Sequence, residues 1–300
     1  MSNMTRQKSA GQTTPATPLS TRPALRGSGE RTKAVAASTI LWIMAVAFGF
    51  PVLWFVLSSF KPAGDLFSYP LTLFPESWDV TGYSQAWESY DFYKFFLNTT
   101  IVAVITTILT VVASACTGYA LAKYKNPWLK VFFVCILATT MLPTEVILSP
   151  TFLVIRDLGL YDSLAGLIVP SIITATGILM FRQFFVTVPD SLVEAARIDG
   201  ASELGIFARI MIPIAKPIIV TLAIFSFQWR WNDYIWPLIV INDPGKFTLQ
   251  IAIQSIVGAD NVNWSVLLSA SVISILPLVL LFIVFQKYVM NADINAGLKE

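Results

Sequence analysis

Histidine is absent from the sequence. That removes imidazole general bases, His-ligated metals and His-ligated haem. There are two cysteines, Cys116 and Cys135, each inside an apolar run. They make no CxxC and no disulfide framework, and they read as small apolar side chains. Charge is scarce: 13% of the 300 residues are charged, where a soluble domain carries about 25%. The net charge of +2 names no partner. A phosphate-cradling G-x-x-x-x-G-K-[ST] loop is missing, since the single Gly-Lys pair, Gly245-Lys246, is followed by Phe247. Any ATP-driven work must therefore be powered by another chain. What abounds is apolar: 55% of residues are hydrophobic and the mean hydropathy is +0.68. This excludes a disordered chain, a nucleic-acid binder and an ordinary soluble enzyme.

Residues 1–33 are a different material. They are rich in Ser, Thr, Pro and Gly, and they carry Arg6, Lys8, Arg22, Arg26, Arg31 and Lys33 against the single acid Glu30. Such a stretch buries too little apolar area to fold alone, so it is expected to be a disordered basic tail. The apolar run that follows is too long for a signal peptide and ends in no small-x-small cleavage site. Residues 34–300 form one domain. Six apolar segments run along it, at 34–60, 98–122, 129–152, 163–185, 214–240 and 264–287. Each reaches the roughly 20 residues that a helix needs to cross about 30 Å of hydrocarbon, and lipid demands that the backbone be satisfied within helices. The fold class is all-α, with six transmembrane helices. Arg230, Asn232 and Asp233 interrupt the fifth segment, so its spanning part is expected at 214–232.

Lysine and arginine set the orientation. With the amino terminus inside, most of them fall in the tail, in 123–130, in 182–216 and at the carboxyl end. Only Lys61, Lys94, Arg156, Arg230 and Lys246 lie outside. This bias places both termini in the cytoplasm. The outer 61–97 loop carries Trp78, Tyr83, Trp87, Tyr90, Phe92 and Tyr93, ring types that favour the membrane interface.

The inner 186–213 loop is the most informative stretch. Ser191 followed by Glu194 has capping-box spacing, and Pro189 stands just ahead. A short helix is expected from Ser191, ended by a positive φ at Gly200. A second helix is expected from the cap Ser202 to Pro213, which blocks further turns. On physics alone, this helix–turn–helix could be no more than a surface-lying amphipathic connector. Its spacing says more. Glu194-Ala195-Ala196, three residues, Gly200, nine residues, Ile210-x-x-Pro213 resembles the EAA loop of ABC-importer permease subunits, with Ile212 where that family prefers Leu. The resemblance covers most of the chain from residue 51 and looks like the carbohydrate-uptake branch, similar to the smaller permease of maltose-type transporters. Further matches are Pro51 with Ser58-Ser59-Phe60-Lys61, Gly118-Tyr119-Ala120-Leu121-Ala122, Met141-Leu142-Pro143, Leu158-Gly159-Leu160, Phe181-Arg182-Gln183-Phe184-Phe185, Trp231-Asn232-Asp233 and Gln286-Lys287-Tyr288. The cytoplasmic tail, 288–300, departs: it ends Gly297-Leu298-Lys299-Glu300, where that branch often has a glycine-rich tail.

The resemblance implies a subunit of a bacterial inner-membrane importer that is not itself an enzyme. It implies a second EAA-bearing permease, two copies of a cytoplasmic ATPase that hold the ATP and Mg, and an extracytoplasmic solute-binding protein. The solute would be a sugar or related polar compound, with glycerol-3-phosphate or its diesters also open. No cofactor or metal is expected on this chain. The implied ATPase-coupling residues are Glu194, Ala195, Ala196, Asp199 and Gly200. For the substrate pathway the residues themselves suggest candidates. Glu145 is an acid within an apolar segment, expensive unless used, although an outer-interface position would also explain it. Trp231, Asn232, Asp233 and Tyr234 combine hydrogen-bonding groups with aromatic faces, as sugar recognition needs, although capping and packing roles also fit. The outer loop with Gly258, Ala259, Asp260 and Asn261 is the region where the maltose-type relative touches its binding protein. Ser114, Gly118 and Ala122 form a small-x-x-x-small stripe for close helix packing, within the subunit or against a partner. An ion-gradient-driven secondary transporter is the alternative class. The scarcity of intramembrane acids, the lack of histidine and the lack of a visible inverted repeat weigh against it.

Overall fold

The computed structural model describes residues 28–70 and 72–297. The first 27 residues of the expected 1–33 tail lie outside that range, as do residues 298–300 at the end of the expected 288–300 tail. Every regular element among the described residues is helical. In chain order the α-helices are α1 (Ser28–Ser58), α2 (Thr81–Ser84), α3 (Phe92–Lys123), α4 (Pro127–Thr139), α5 (Thr144–Asp157), α6 (Leu164–Ile168) and α7 (Ala175–Thr187). They continue as α8 (Asp190–Ile198), α9 (Glu203–Ile206), α10 (Ile212–Ile214), α11 (Lys216–Trp231), α12 (Ile235–Val240), α13 (Leu249–Val257) and α14 (Trp264–Gly297). Two boundaries differ from the sequence expectation. The first long helix starts at Ser28, inside the presumed tail, and α14 carries the helical backbone through residues 288–297 without a break at the expected tail.

Four stretches are long and apolar enough to cross a membrane uninterrupted: Val35–Ser58, Phe92–Lys123, Leu164–Thr187 and Trp264–Lys287. They match the first, second, fourth and sixth expected segments. The third and fifth are bent pairs. Pro127–Thr139 and Thr144–Asp157 meet at 112°, and Glu203–Ile214 and Lys216–Trp231 meet at 77°. The count is therefore four spans, or six if each bent pair is one span.

Proline explains both bends. Pro143 is extended at the start of α5; it has no N–H to continue α4, and its ring pushes Leu142 away from the helical region. In the fifth segment Pro213 and Pro217 bracket Ala215, where α10 ends and α11 begins. Neither proline can donate the i→i−4 bond that would carry one straight helix across the junction. Pro213 itself is accommodated by a wide π-turn over Phe207–Met211, so the break falls just past it rather than at it.

Contacts divide the chain into two units, one ending at Val52 and one running from Leu53. In the first, the Val35–Phe50 side chains are exposed along the helix. In the second, α3 supplies a wall to each of three apolar clusters. Ala115 and Tyr119 pack with Phe181, Phe185, Ile206 and Met211. Phe92 and Ala103 pack with Trp231, Leu249 and Val266. Val102 packs with Ile155, Leu167 and Trp236. The small-residue stripe works inside the subunit: a Cβ on Gly118 would sit 2.6 Å from the Phe181 Cβ, and one on Gly177 would sit 2.4 Å from the Ser114 Oγ. Only absent side chains let α3 and α7 approach so closely.

Candidate functional sites: a docking loop, a polar pocket and an outer turn

The helix–turn–helix of the 186–213 loop is present. Its first helix begins at Asp190, with Pro189 extended ahead of it and no side-chain cap. The Ser191–Glu194 capping box therefore does not form, because Pro189 sets the entry and Ser191 lies already inside the helix. The end of α8 is as expected. Gly200 has φ +81°, its N–H bonds the Arg197 carbonyl, and the Ala201 N–H bonds the Ala196 carbonyl, a Schellman closure that favours glycine. Ser202 caps α9, its Oγ accepting from the Gly205 N–H at 3.2 Å.

The five residues assigned to coupling separate by face. Glu194, Ala195, Asp199 and Gly200 are exposed. Ala196 is 9% exposed and packs with Val193, Val188 and Phe185 under the helix, so its small size serves the core and not the outer surface. Beside the exposed face stand two large apolar side chains with nothing over them, Ile198 at 86% exposed and Leu204 at 75%.

The end of α3 grips this loop through residues that the motif did not mark. Lys123 Nζ donates to the Val188 carbonyl at 2.6 Å and to Asp190 Oδ1 at 2.8 Å. Those contacts hold the Asp190 carboxyl below the usual carboxylate range. The Tyr124 hydroxyl donates to Glu203 Oε2 at 2.6 Å, and Arg197 closes on the same carboxylate, Nε to Oε1 at 2.6 Å and Nη2 to Oε2 at 3.2 Å. With a carboxylate accepting its proton, the Tyr124 phenol is pushed up to about 12.

A cavity of about 650 Å³ opens between the start of α5 and residues 229–236. Its walls include Glu145, Ser171, Trp229, Arg230, Asn232, Asp233, Tyr234 and Trp236. Four of the five sequence candidates thus share one pocket. Trp231 does not: it is 1% exposed, donates from Nε1 to the Ser274 carbonyl at 2.8 Å and stacks on Phe227. Neighbouring residues of a helix point about 100° apart, so Trp231 turns to the core while Trp229 and Arg230 line the cavity. Arg230 is the residue that sequence reasoning missed. Its Nη1 donates to Ser171 Oγ at 2.8 Å and to Asp233 Oδ2 at 3.2 Å. Glu145 is exposed in the first turn of α5.

Gly258, Ala259, Asp260 and Asn261 are all exposed in the turn between α13 and α14. Another connection is held by Asp162, whose Oδ1 accepts the backbone N–H of Asn242 and of Asp243, each at 2.9 Å. Lys246 Nζ reaches its Oδ2 at 3.0 Å. Those two amides and then the ammonium pull the Asp162 carboxyl down to about 2. Among the described residues no group of three His, Cys, Asp or Glu side chains is placed to hold a metal.

A helical chain with several helices long and apolar enough to cross a membrane has the architecture of a polytopic membrane protein. Comparison with known proteins fixes the family. Residues 114–291 match the binding-protein-dependent transport system inner membrane component family. The chain is 33% identical over 273 residues to the arabinooligosaccharides transport system permease protein AraQ of Bacillus subtilis strain 168, covering 88% of this chain and 95% of that one. It is 33% identical over 256 residues to the sn-glycerol-3-phosphate transport system permease protein UgpE of Escherichia coli O157:H7, covering 83% and 90%. A solved bacterial ABC transporter involved in import of the acidic polysaccharide alginate matches with TM-score 0.79 and 26% identity, over 88% of this chain and 99% of that one. The chain belongs to the inner-membrane permease family of binding-protein-dependent transport systems. It is an ABC-importer permease, powered by a partner ATPase and not itself an enzyme.

Proposed function

We propose that this chain forms half of the translocation pathway for a sugar or related polar solute. The other half would be a second permease carrying the same loop. Two copies of a cytoplasmic ATPase would drive alternating access, and a solute-binding protein would deliver solute from outside, near Gly258, Ala259, Asp260 and Asn261. The observation that carries this reading is the 190–206 elbow. Its spacing matches the EAA pattern, its turn is closed at Gly200, and it offers Glu194 and Asp199 beside the bare apolar Ile198 and Leu204. Exposed apolar anchors ringed by charged and polar groups are what a protein-binding surface looks like. The excess of Lys and Arg on the same side supports a cytoplasmic position for the elbow and both termini.

The cavity at Glu145, Arg230, Asn232, Asp233 and Tyr234 is proposed as this subunit's part of the solute path. Its charged lining is two carboxylates against one guanidinium, and that guanidinium is already engaged by Asp233. Carboxylates accept from sugar hydroxyls and repel phosphates, so the pocket favours a neutral sugar such as an arabinooligosaccharide over sn-glycerol-3-phosphate. The test is expression with the genetically neighbouring permease, ATPase and binding protein, followed by purification from mild detergent. An ATPase that co-purifies, and uptake of a neutral oligosaccharide uncompeted by sn-glycerol-3-phosphate, support the reading. A competent assembly without an ATPase overturns it.

A further inference from the structure

One helix touches both faces of the permease. α3 runs from Phe92 to Lys123 as 32 residues without a proline, about 48 Å at 1.5 Å per residue. At its carboxyl end, Lys123 and Tyr124 hold both arms of the elbow: Lys123 holds the start of α8 through Val188 and Asp190, and Tyr124 holds the start of α9 through Glu203. Arg197 ties that same Glu203 carboxylate to the end of α8. The elbow therefore cannot move as a unit without carrying the tip of α3, or breaking these bonds.

The opposite end of α3 is fastened just as specifically. Asn98 Nδ2 donates to the Gly245 carbonyl at 3.1 Å and to the Phe247 carbonyl at 3.0 Å. Thr99 Oγ1 accepts from the Leu249 N–H at 2.8 Å. The 242–249 segment held there lies just ahead of α13, which ends at the exposed 258–261 turn. Between the two attachments the helix is straitened by close packing against α7, where Gly118 and Gly177 leave no room for slack. A continuous hydrogen-bonded rod between two fastened ends is a physical route for coupling, provided that both ends respond to the same event.

We propose that α3 is the rod that ties the elbow to the outer 242–249 segment, with Tyr124 and Asn98 as the positioning residues at its two ends. This rests on the reading that an ATPase seats on the elbow. Neither residue lines the cavity proposed as the solute path. Displacement of the elbow on nucleotide binding is carried along α3, and the 242–249 segment shifts with it. Coupling is reciprocal, so loosening either end weakens the response at the other, with Lys123 and Thr99 keeping the remaining attachments.

The test needs no knowledge of the solute. The full transporter complex in nanodiscs is compared with and without ATP plus vanadate, by amide hydrogen exchange at 190–206 and at 242–249. In the native complex, trapping should alter exchange at both segments. Tyr124→Phe keeps the ring and loses the hydroxyl. It should leave assembly, basal ATP hydrolysis and the response at 190–206 in place, and cut the response at 242–249 several-fold. Asn98→Ala, at the far end, should give the same signature. A merely local structural role would change exchange only beside the substituted residue. An unchanged 242–249 response in Tyr124→Phe overturns the proposal, and so does a native complex that responds at 190–206 alone. If the ATPase seats elsewhere and 190–206 never responds, it is the functional reading that fails.

Discussion

Tyr124 and Glu203, 79 residues apart in sequence, share a 2.6 Å hydrogen bond that fastens the end of a long apolar helix to the second arm of the elbow. The bond explains why a surface loop of short helices keeps one shape. Arg197 completes it from the first arm, so a single carboxylate gathers three elements.

The raised Tyr124 phenol gives that bond a pH limit. Its value of about 12 lies above the ordinary 10, so the stabilisation is complete below pH 10 and is lost as pH rises through about 12. Ultraviolet difference titration of wild type against Tyr124→Phe should show one tyrosine ionising late. Ionisation of the missing residue near pH 10 would contradict the geometry.

Gly200→Val should strain the elbow. The native φ of +81° costs an L-residue about 1–2 kcal/mol, and a β-branched side chain more. No neighbour lies within 4 Å of an added Cβ, so the effect is conformational rather than a clash. Transport-coupled ATP hydrolysis should fall several-fold while the subunit stays in the membrane. Normal coupled hydrolysis in this variant would show that the turn tolerates another closure.

Trp231 and Trp229 should behave oppositely. Trp231→Ala removes a fully buried ring and its bond to Ser274, and should cost roughly 3–5 kcal/mol of stability. Trp229→Ala, on the cavity wall, should cost under about 1 kcal/mol and lower solute uptake. Thermal unfolding of the detergent-purified complex, set beside uptake, separates the two.

Acid should loosen the Asp162 connection. With its carboxyl drawn down to about 2, the stabilisation holds above the ordinary carboxylate value near 4 and disappears as pH falls toward 2. Pepsin should cut at Ile241 or Phe247, the apolar ends of this connection, at pH 2 and spare them at pH 4. Asp162→Asn should be cut at both.

Long apolar runs were legible because nothing competes with helix formation along them; α1, α3 and α14 follow directly from composition. The two bent segments carried their prolines in plain view, but hydropathy averages over a proline, and a 112° turn leaves no trace in it. Gly200 and Ser202 were readable because a positive φ and a helix cap are local demands. The Ser191–Glu194 box failed because Pro189 starts the helix first. Ala196 and Trp231 turn to the core for one reason: adjacent residues of a helix face different ways, and a motif does not say which way is in. Tyr124 and Lys123 had no signal, since their partners Glu203 and Val188 lie 79 and 65 residues away; Arg230 showed only as an interruption of the fifth segment, and its bond to Ser171, 59 residues away, depends on the fold.

The most direct test places a single photo-crosslinker at Glu194 in the assembled, transport-competent complex. The expected product joins this chain to the ATP-hydrolysing subunit, with a yield that changes between nucleotide-free and ATP–vanadate states. A competent complex that gives no such product at Glu194, nor at Ile198 or Leu204 on the same elbow, would contradict the assignment of this loop as the seat of the motor.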